Sequence, residues 1–245
     1  MIGIVTGGTM AVPNKYTVKQ VMSIECREWF LKKHYAKRLP TTSYAFGLYK
    51  TANNLLVGVC SYGKPMSSTL VNGAFNGLYT ENFLELNRLV VDEGLGKNVL
   101  SFFVSQTLKK LQAPSVVVSY ADSSQHHHGY IYQATNWIYT GLSAKFKDYA
   151  VKGLEHMHHS SIEDSVGRYD ENKNINKHQL LKEKYGDRLY MKERARKHRY
   201  FYLLGSKTER KKMKENLNYK SFPYPKGENT RYDASYQPST QGVLF

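Results

Sequence analysis

The sequence predicts an α/β chain: a mixed central sheet flanked by helices, with a basic C-terminal extension. Three observations carry this. Val116, Val117 and Val118 stand together just after Pro114, which suits a strand covered on both faces. The segment Phe83 to Asp92, FLELNRLVVD, alternates imperfectly between apolar and polar residues and passes through Glu93-Gly94-Leu95-Gly96-Lys97-Asn98 into a helix that runs through Leu111. Residues 206 to 245 lose hydrophobic periodicity and carry Pro223, Pro225 and Pro238, so they read as a tail that is disordered or ordered only on a partner.

Residues 17 to 35 have Val18, Val21, Met22, Cys26, Trp29 and Phe30 at three- and four-residue spacing, which predicts an amphipathic helix against the sheet. Two short strands, about Ser43 to Lys50 and Leu55 to Tyr62, follow Pro40 and join at Asn53-Asn54, a pair that tolerates positive φ. A loop is expected from Gly63 to Gly77. Past the central strand and its helix, Val116 to Asp122 is the second buried strand, and a helix is expected from about His128 to Tyr139. Gly167 to Asn176 reads as an exposed loop, His178 to Tyr185 as a short basic helix, and Tyr190 to Gly205 as an aromatic strand that closes the sheet. The expected division is a lead over residues 1–16, a main domain over 17–205 with a polar insertion near 152–189, and a Tyr- and Pro-containing tail over 206–245.

With 245 residues and 41% hydrophobic content, the chain can build an ordinary core. No apolar run approaches the roughly 18 residues of a membrane span, and the first residues lack a basic segment followed by an apolar one, so a cytoplasmic protein is expected. Cys26 and Cys60 sit apart in apolar surroundings and read as core thiols. The 35 Lys and Arg against 20 Asp and Glu give a formal charge of +15, which favours a polyanionic partner, although a general field for solubility remains an alternative. His126-His127-His128 and the group at His156, His158 and His159 invite a metal reading. Adjacent histidines do not easily face one ion, and the spacing matches no helical zinc site, so a metal ion is compatible with the composition but unsupported by ligand spacing.

Asp122 falls at the carboxyl end of a buried strand, where ligands sit in open α/β sheets; the alternative is an Asp that caps the next turn. The glycines at 94 and 96 let backbone N–H groups face an anion at a helix mouth. This order of elements, with Tyr132-Gln133-Ala134-Thr135-Asn136-Trp137 in the second helix, resembles the GNAT superfamily of acyltransferases, with Asn136 where the family's text has Gly. The resemblance implies that Tyr132 protonates the departing thiolate, and a phenol near pKa ~10 lowered by local dipoles suits a thiol near ~8.5. It also implies that Gly94, Gly96, Lys97 and Asn98 hold the pyrophosphate of acetyl-coenzyme A or a related acyl donor. Tyr132 as a plain core aromatic is the alternative.

Finer texts narrow the resemblance: Lys33-His34-Tyr35, Glu85-Leu86-Asn87-Arg88-Leu89, Asn98 to Ser101, Ala121-Asp122 through Asn136-Trp137-Ile138-Tyr139-Thr140-Gly141, and Arg196-Lys197-His198-Arg199-Tyr200. Over roughly residues 17 to 205 the chain resembles the Mom family of bacteriophage DNA-modification proteins, which carry a GNAT-like domain. His126 and His127 depart from the family's text beside His128-Gly129. The likeness implies a phage transferase that adds a small carbamoylmethyl-type group to adenine N6 in double-stranded DNA and shields it from restriction. It places His34, Tyr35, Arg88, Ser101 and Asp122 in the site. The adenine amine needs a base as its new bond forms, with Asp122 the first choice and His34 the second. Arg88 suits a phosphate or carboxylate, with a salt bridge to Glu85 or Asp92 as the alternative; Ser101 reaches cofactor or merely bonds within its helix. A base in a duplex must be flipped out, and Tyr35 or Trp137 would stack on it, although a Trp at this helix position is more often a core residue. The run Lys182, Lys184, Lys192, Arg194, Arg196, Lys197 and Arg199, continued by Arg210, Lys211, Lys212 and Lys214, would hold the phosphate backbone; a solvated charged face is the alternative. The sequence does not give the oligomeric state, and a dimer is compatible with it. Two other readings stay open: an N-acetyltransferase acting on a protein or small amine, and a DNA-binding protein that has lost the chemistry.

Overall fold

The computed structural model describes residues 12–34, 36–157, 159–166 and 176–227. A short helix α1 (Val12–Lys15) leads into β1 (Tyr16–Val21), and a 3-10 turn, Ser23–Cys26, and a π-helical turn, Trp29–Lys33, follow. Next come β2 (Tyr44–Lys50), β3 (Leu56–Gly63), α2 (Ser68–Ala74), β4 (Phe83–Val91), α3 (Val99–Leu108), β5 (Ser115–Asp122), α4 (Tyr130–Ala134) and β6 (Ile138–Leu142). After β7 (Lys147–Val151), α5 (His159–Asp164), α6 (Lys177–Tyr185) and β8 (Leu189–Glu193), the chain returns through β9 (Lys197–Leu204) and ends the described part with α7 (Lys207–Glu215). The main sheet has the order β1-β2-β3-β4-β5-β9-β6, with β4 and β5 parallel and the other neighbours antiparallel. This is the mixed sheet flanked by helices that the sequence predicts.

On one face of the sheet, Phe46, Cys60, Leu86, Val117 and Tyr200 pack with Phe103 and Val104 of α3 and Tyr132 of α4. The opposite face packs Phe83, Val118 and Phe201 under α2 and α7, and Ala45, Val59 and Val90 under Cys26 and Phe30 of the helical turns. These are the α3 face and the α7 face below.

Several expectations are corrected. Residues 17 to 35 form a strand and short turns, not one helix. Val18 packs into the α3-face core and Val21 against the α7-face cluster, so two apolar residues three apart on opposite sides of an edge strand mimic helical spacing. The loop expected from 63 to 77 contains α2, whose Ser67 Oγ accepts from Leu70 N at 3.1 Å. The helix expected over 128–139 stops at Ala134, because Asn136 turns left-handed at φ 60° and sends Trp137 into the core and Tyr139 into β6. β9 does not close the sheet at its edge; it lies between β5 and β6.

The insertion is wider than its expected bounds of 152–189. Its strands β7 and β8 pair from Lys147↔Glu193 to Val151↔Leu189, and Val151, Ile162 and Leu181 give it a small core of its own. The loop expected at 167–176 falls, but for Asn176, outside the described residues. The tail is corrected as well. Ser206 and Glu209 form a reciprocal capping box on α7, and Met213 anchors that helix in the α7-face core. Beyond α7, Tyr219 stacks on Phe201 at 5.8 Å, Phe222 N donates to Tyr139 O at 2.9 Å and Tyr224 Oη donates to Trp137 O at 2.7 Å. Residues 228–245, with Pro238, lie outside the described residues. The hairpin at Asn53-Asn54 is as expected, with Asn54 at φ 53°.

Candidate active site

A bulge in β4 organises the site. Ser61 faces Arg88 and the next residue, Tyr62, faces Leu86, which leaves Asn87 as an extra residue in β4. Its side chain is fixed by Ser61 Oγ at 2.7 Å and by its own donation to Thr41 O at 2.8 Å. Parallel pairing with β5 covers only Phe83↔Val116 to Glu85↔Val118. Beyond it the two strands part, and Ser119 Oγ sits at the fork, 2.7 Å from both Leu86 O and Tyr132 Oη. A carbonyl can only accept, so the serine proton serves Leu86 and the Tyr132 proton is directed at Ser119. Tyr132 is buried, with its ring 5.0 Å from Trp137 and 5.1 Å from Tyr200.

The mouth of α3 lies on the α3 side of the fork. Gly94 has φ +73°, and nothing lies within 4 Å of where a Cβ would stand. Asn98 is left-handed at φ 65° and its side chain caps nothing, so no side chain occupies the first N–H groups of α3. Lys97 is exposed beside them. Ser101 Oγ donates to Asn98 O at 3.0 Å, the in-helix bond that was its alternative reading. Val99 N donates to Gly96 O at 3.4 Å, and an open glycine with first-turn N–H groups that Asn98 leaves uncapped fits the phosphate of an acyl-coenzyme A.

The other expected groups gather on the α7 face. Phe83 and Glu85 point there, and the bulge turns Arg88 and Val90 to the same side. Asp122 lies opposite Lys197 of β9, whose Nζ is 3.4 Å from Asp122 Oδ2. Asp122 Oδ1 also accepts from Ser124 N at 3.0 Å and Ser124 Oγ at 2.7 Å, so the capping role and the ion pair coexist. His34 is buried at 5% exposure, and its Nδ1 accepts from Ala36 N at 3.0 Å. Burial first, then the positive charges of Arg88 and Lys197, press its pKa down to about 3, so the ring is neutral at neutral pH and a poor proton acceptor there. Arg88 reaches Asn87 O at 2.7 Å and Arg38 O at 3.4 Å, while Asp92 is held by Lys33 at 2.6 Å. Tyr35 lies outside the described residues.

Glu85 is the residue that sequence reasoning missed. Burial raises its carboxyl pKa against the pull of Lys197 and Arg88, and it shares their side of the sheet. Residues 85 and 88 would sit on opposite faces of a regular strand, so only the bulge brings them together. Trp137 is corrected as a stacking candidate: it is 1% exposed and packs between Tyr132 and Tyr202.

The expected phosphate-holding run is largely engaged within the chain. Lys182 pairs with Asp187, Lys184 donates to Ser165 O, Arg194 forks onto Asp148, and Arg196 donates to Ser143 O. Arg199 donates to Thr140 Oγ1 at 2.9 Å and lies 3.6 Å over the Tyr219 ring; Lys192 is exposed. The histidines do not converge: His128 stacks on His198, His159 pairs with Glu163 and Asp148, and no cluster of three or more metal-ligating side chains occurs among the described residues.

A forked parallel pair with a bulged β4, an open helix mouth on one side and Asp122, Lys197, Arg88 and Glu85 on the other define a mixed α/β protein with a candidate site at the fork. The profile of the Mom protein family matches residues 15–226, and the chain belongs to that family. It is 33% identical over 132 residues to the methylcarbamoylase Mom of Escherichia phage Mu; the match covers 50% of this chain and about half, 53%, of that relative. Among solved structures it is similar to YncA, an acetyltransferase of Salmonella typhimurium with its acetyl-CoA cofactor (TM-score 0.42, 12% identity, 79% of this chain and 96% of that one). It is also similar to an acetyltransferase of Acinetobacter baylyi (TM-score 0.43, 9% identity, 77% and 93%). Among the described residues, no helix is long and apolar enough to cross a membrane.

Proposed function

We propose that this chain transfers a small carbamoylmethyl-type group to adenine N6 in double-stranded DNA, protecting phage DNA from restriction. Family membership and the likeness to the methylcarbamoylase of phage Mu support the reaction class. The observation that carries it is the pairing of an open helix mouth on one face with Asp122, Lys197, Arg88 and Glu85 on the other, at a fork between β4 and β5.

Gly94, Lys97, Asn98 and the first N–H groups of α3 would hold the phosphates of an acyl-coenzyme A, which supplies an activated acyl carbon when bound. Asp122 would take the proton that the N6 amine sheds as its new bond forms, with Lys197 Nζ 3.4 Å from its Oδ2. Arg88 offers a cationic fork for a phosphate or the donor's carboxylate. Tyr132 would return a proton to the leaving thiolate, and the bond to Ser119 must open for that transfer. Acyl transfer alone makes an amide at N6, whereas a carbamoylmethyl product has a methylene on nitrogen. The full reaction therefore includes a further donor or rearrangement step.

The test is mass spectrometry of nucleosides from DNA of cells expressing the protein. A heavier deoxyadenosine is expected, reduced by roughly 100-fold or more in Asp122→Asn, since general-base catalysis contributes about 10²–10⁴. Unmodified DNA with an acetylated protein or small amine would replace this reading with an N-acetyltransferase. Salt-dependent DNA binding with neither product would leave a binding protein.

A further inference from the structure

Of the basic run that the sequence singled out, the part from Lys182 to Arg199 is mostly tied up inside the chain, while its continuation on α7, joined by Lys207, is not. Lys207, Arg210, Lys211 and Lys214 recur at the three- and four-residue spacing of one helical face, and all four are exposed. They line one side of a groove of about 450 Å³ whose floor is Ile138, Phe201 and Leu203. None of the four forms an ion pair among the described residues. Glu209, next to Arg210, is engaged with Ser206 in the cap, and Glu215, next to Lys214, forms no ion pair with them among the described residues. Like charges three and four residues apart on a helix repel, so this face carries an electrostatic cost that a polyanion laid in the groove would relieve.

The groove opens on the α7 face, the same face as Asp122 and Lys197. Phe201 and Leu203 belong to β9, which begins at Lys197, so the stripe stands about 20 Å along the strand from the acceptor cluster at ~3.3 Å per residue. That separation is about the width of a duplex.

We infer that the α7 stripe and its groove form a docking site for the phosphate backbone of duplex DNA, holding the helix while a base is presented at the acceptor cluster. This rests on DNA being the substrate, as proposed above.

The test uses the full chain and a fluorescein-labelled DNA duplex, with anisotropy read from about 0.05 to 0.3 M salt. The variant Lys207→Gln/Arg210→Gln/Lys211→Gln/Lys214→Gln is compared with Lys109→Gln/Lys110→Gln/Lys145→Gln/Lys152→Gln, which removes equal charge elsewhere. Each lost phosphate contact lowers the slope of log affinity against log salt by about 0.9, so the stripe variant should lose up to about 3.6 units and bind at least about 10-fold more weakly. The control should change little. The pair Arg210→Gln/Lys211→Gln should show about half the slope change, and circular dichroism should show both stripe variants folded.

Equal weakening in stripe variant and control, or no weakening in the stripe variant, overturns the inference. So does a loss confined to an RNA duplex run in parallel, or a wild-type protein without salt-dependent DNA binding. Wild-type DNA that binds through the stripe yet yields no modified deoxyadenosine would instead overturn the proposed reaction and leave the docking site standing.

Discussion

His34 shows how a residue's surroundings set its chemistry. The same imidazole that would serve as a base in water is held neutral by burial and by the charges of Arg88 and Lys197. Its folded pKa is depressed to about 3 from an unfolded value near 6.5. The stability it contributes is therefore present above pH ~6.5 and is lost as pH falls toward 3, by up to about 1.4 kcal/mol per pH unit. Thermal melts from pH 7 to pH 4 should show the wild type losing stability more steeply than His34→Gln; parallel curves would mean the buried ring does not titrate this way. Asp122 is the contrasting case, since it keeps its turn-capping bonds and still faces Lys197 across β9.

At the level of elements, the shortness of α4 matters more than its presence. Asn136 in the left-handed region does the work of a glycine, ends the helix early and sends Trp137 into the core beneath Tyr224. The helix α7 is strongly charged and held by a single buried side chain, Met213, so its cap is a large part of what defines it. Ser206→Ala should cost about 1 kcal/mol by chemical denaturation, because Glu209 N in the first turn of α7 loses its side-chain acceptor. An unchanged midpoint would show that packing alone fixes the helix.

On the scale of the whole molecule, the insertion is a separable unit. Its core of Val151, Ile162 and Leu181 is distinct from the two cores of the sheet, and Arg194 N donates to Phe146 O at 2.9 Å, so its ends are adjacent. Replacing residues 147–193 with two glycines should leave a cooperatively melting main sheet, measured by circular dichroism and calorimetry. Loss of cooperative melting would mean that the sheet depends on the insertion. The same separation explains why Lys182, Lys184 and Arg194 are spent on the insertion's own bonds, while α7, packed on the main sheet, presents its cations outward.

What was legible in the residues was local. The hairpin at Asn53-Asn54, the valine strand β5, the glycine turn before α3 and the family texts are each set by sterics and burial within a few neighbours, and each stands where expected. β1 was misread because Val18 and Val21, three apart on opposite sides of an edge strand, run on into the apolar residues of the helical turns and copy helical spacing, and α7 because its one apolar anchor stands among charges. The sequence by itself determined the alternation of elements, the family and the excess of positive charge. Only the tertiary structure decided that Glu85 and Arg88 share a face, that Asp122 meets Lys197, and which cations remain unpaired. Those depend on strand register and on a single extra residue, Asn87, and pairing between distant segments leaves no periodic trace along the chain.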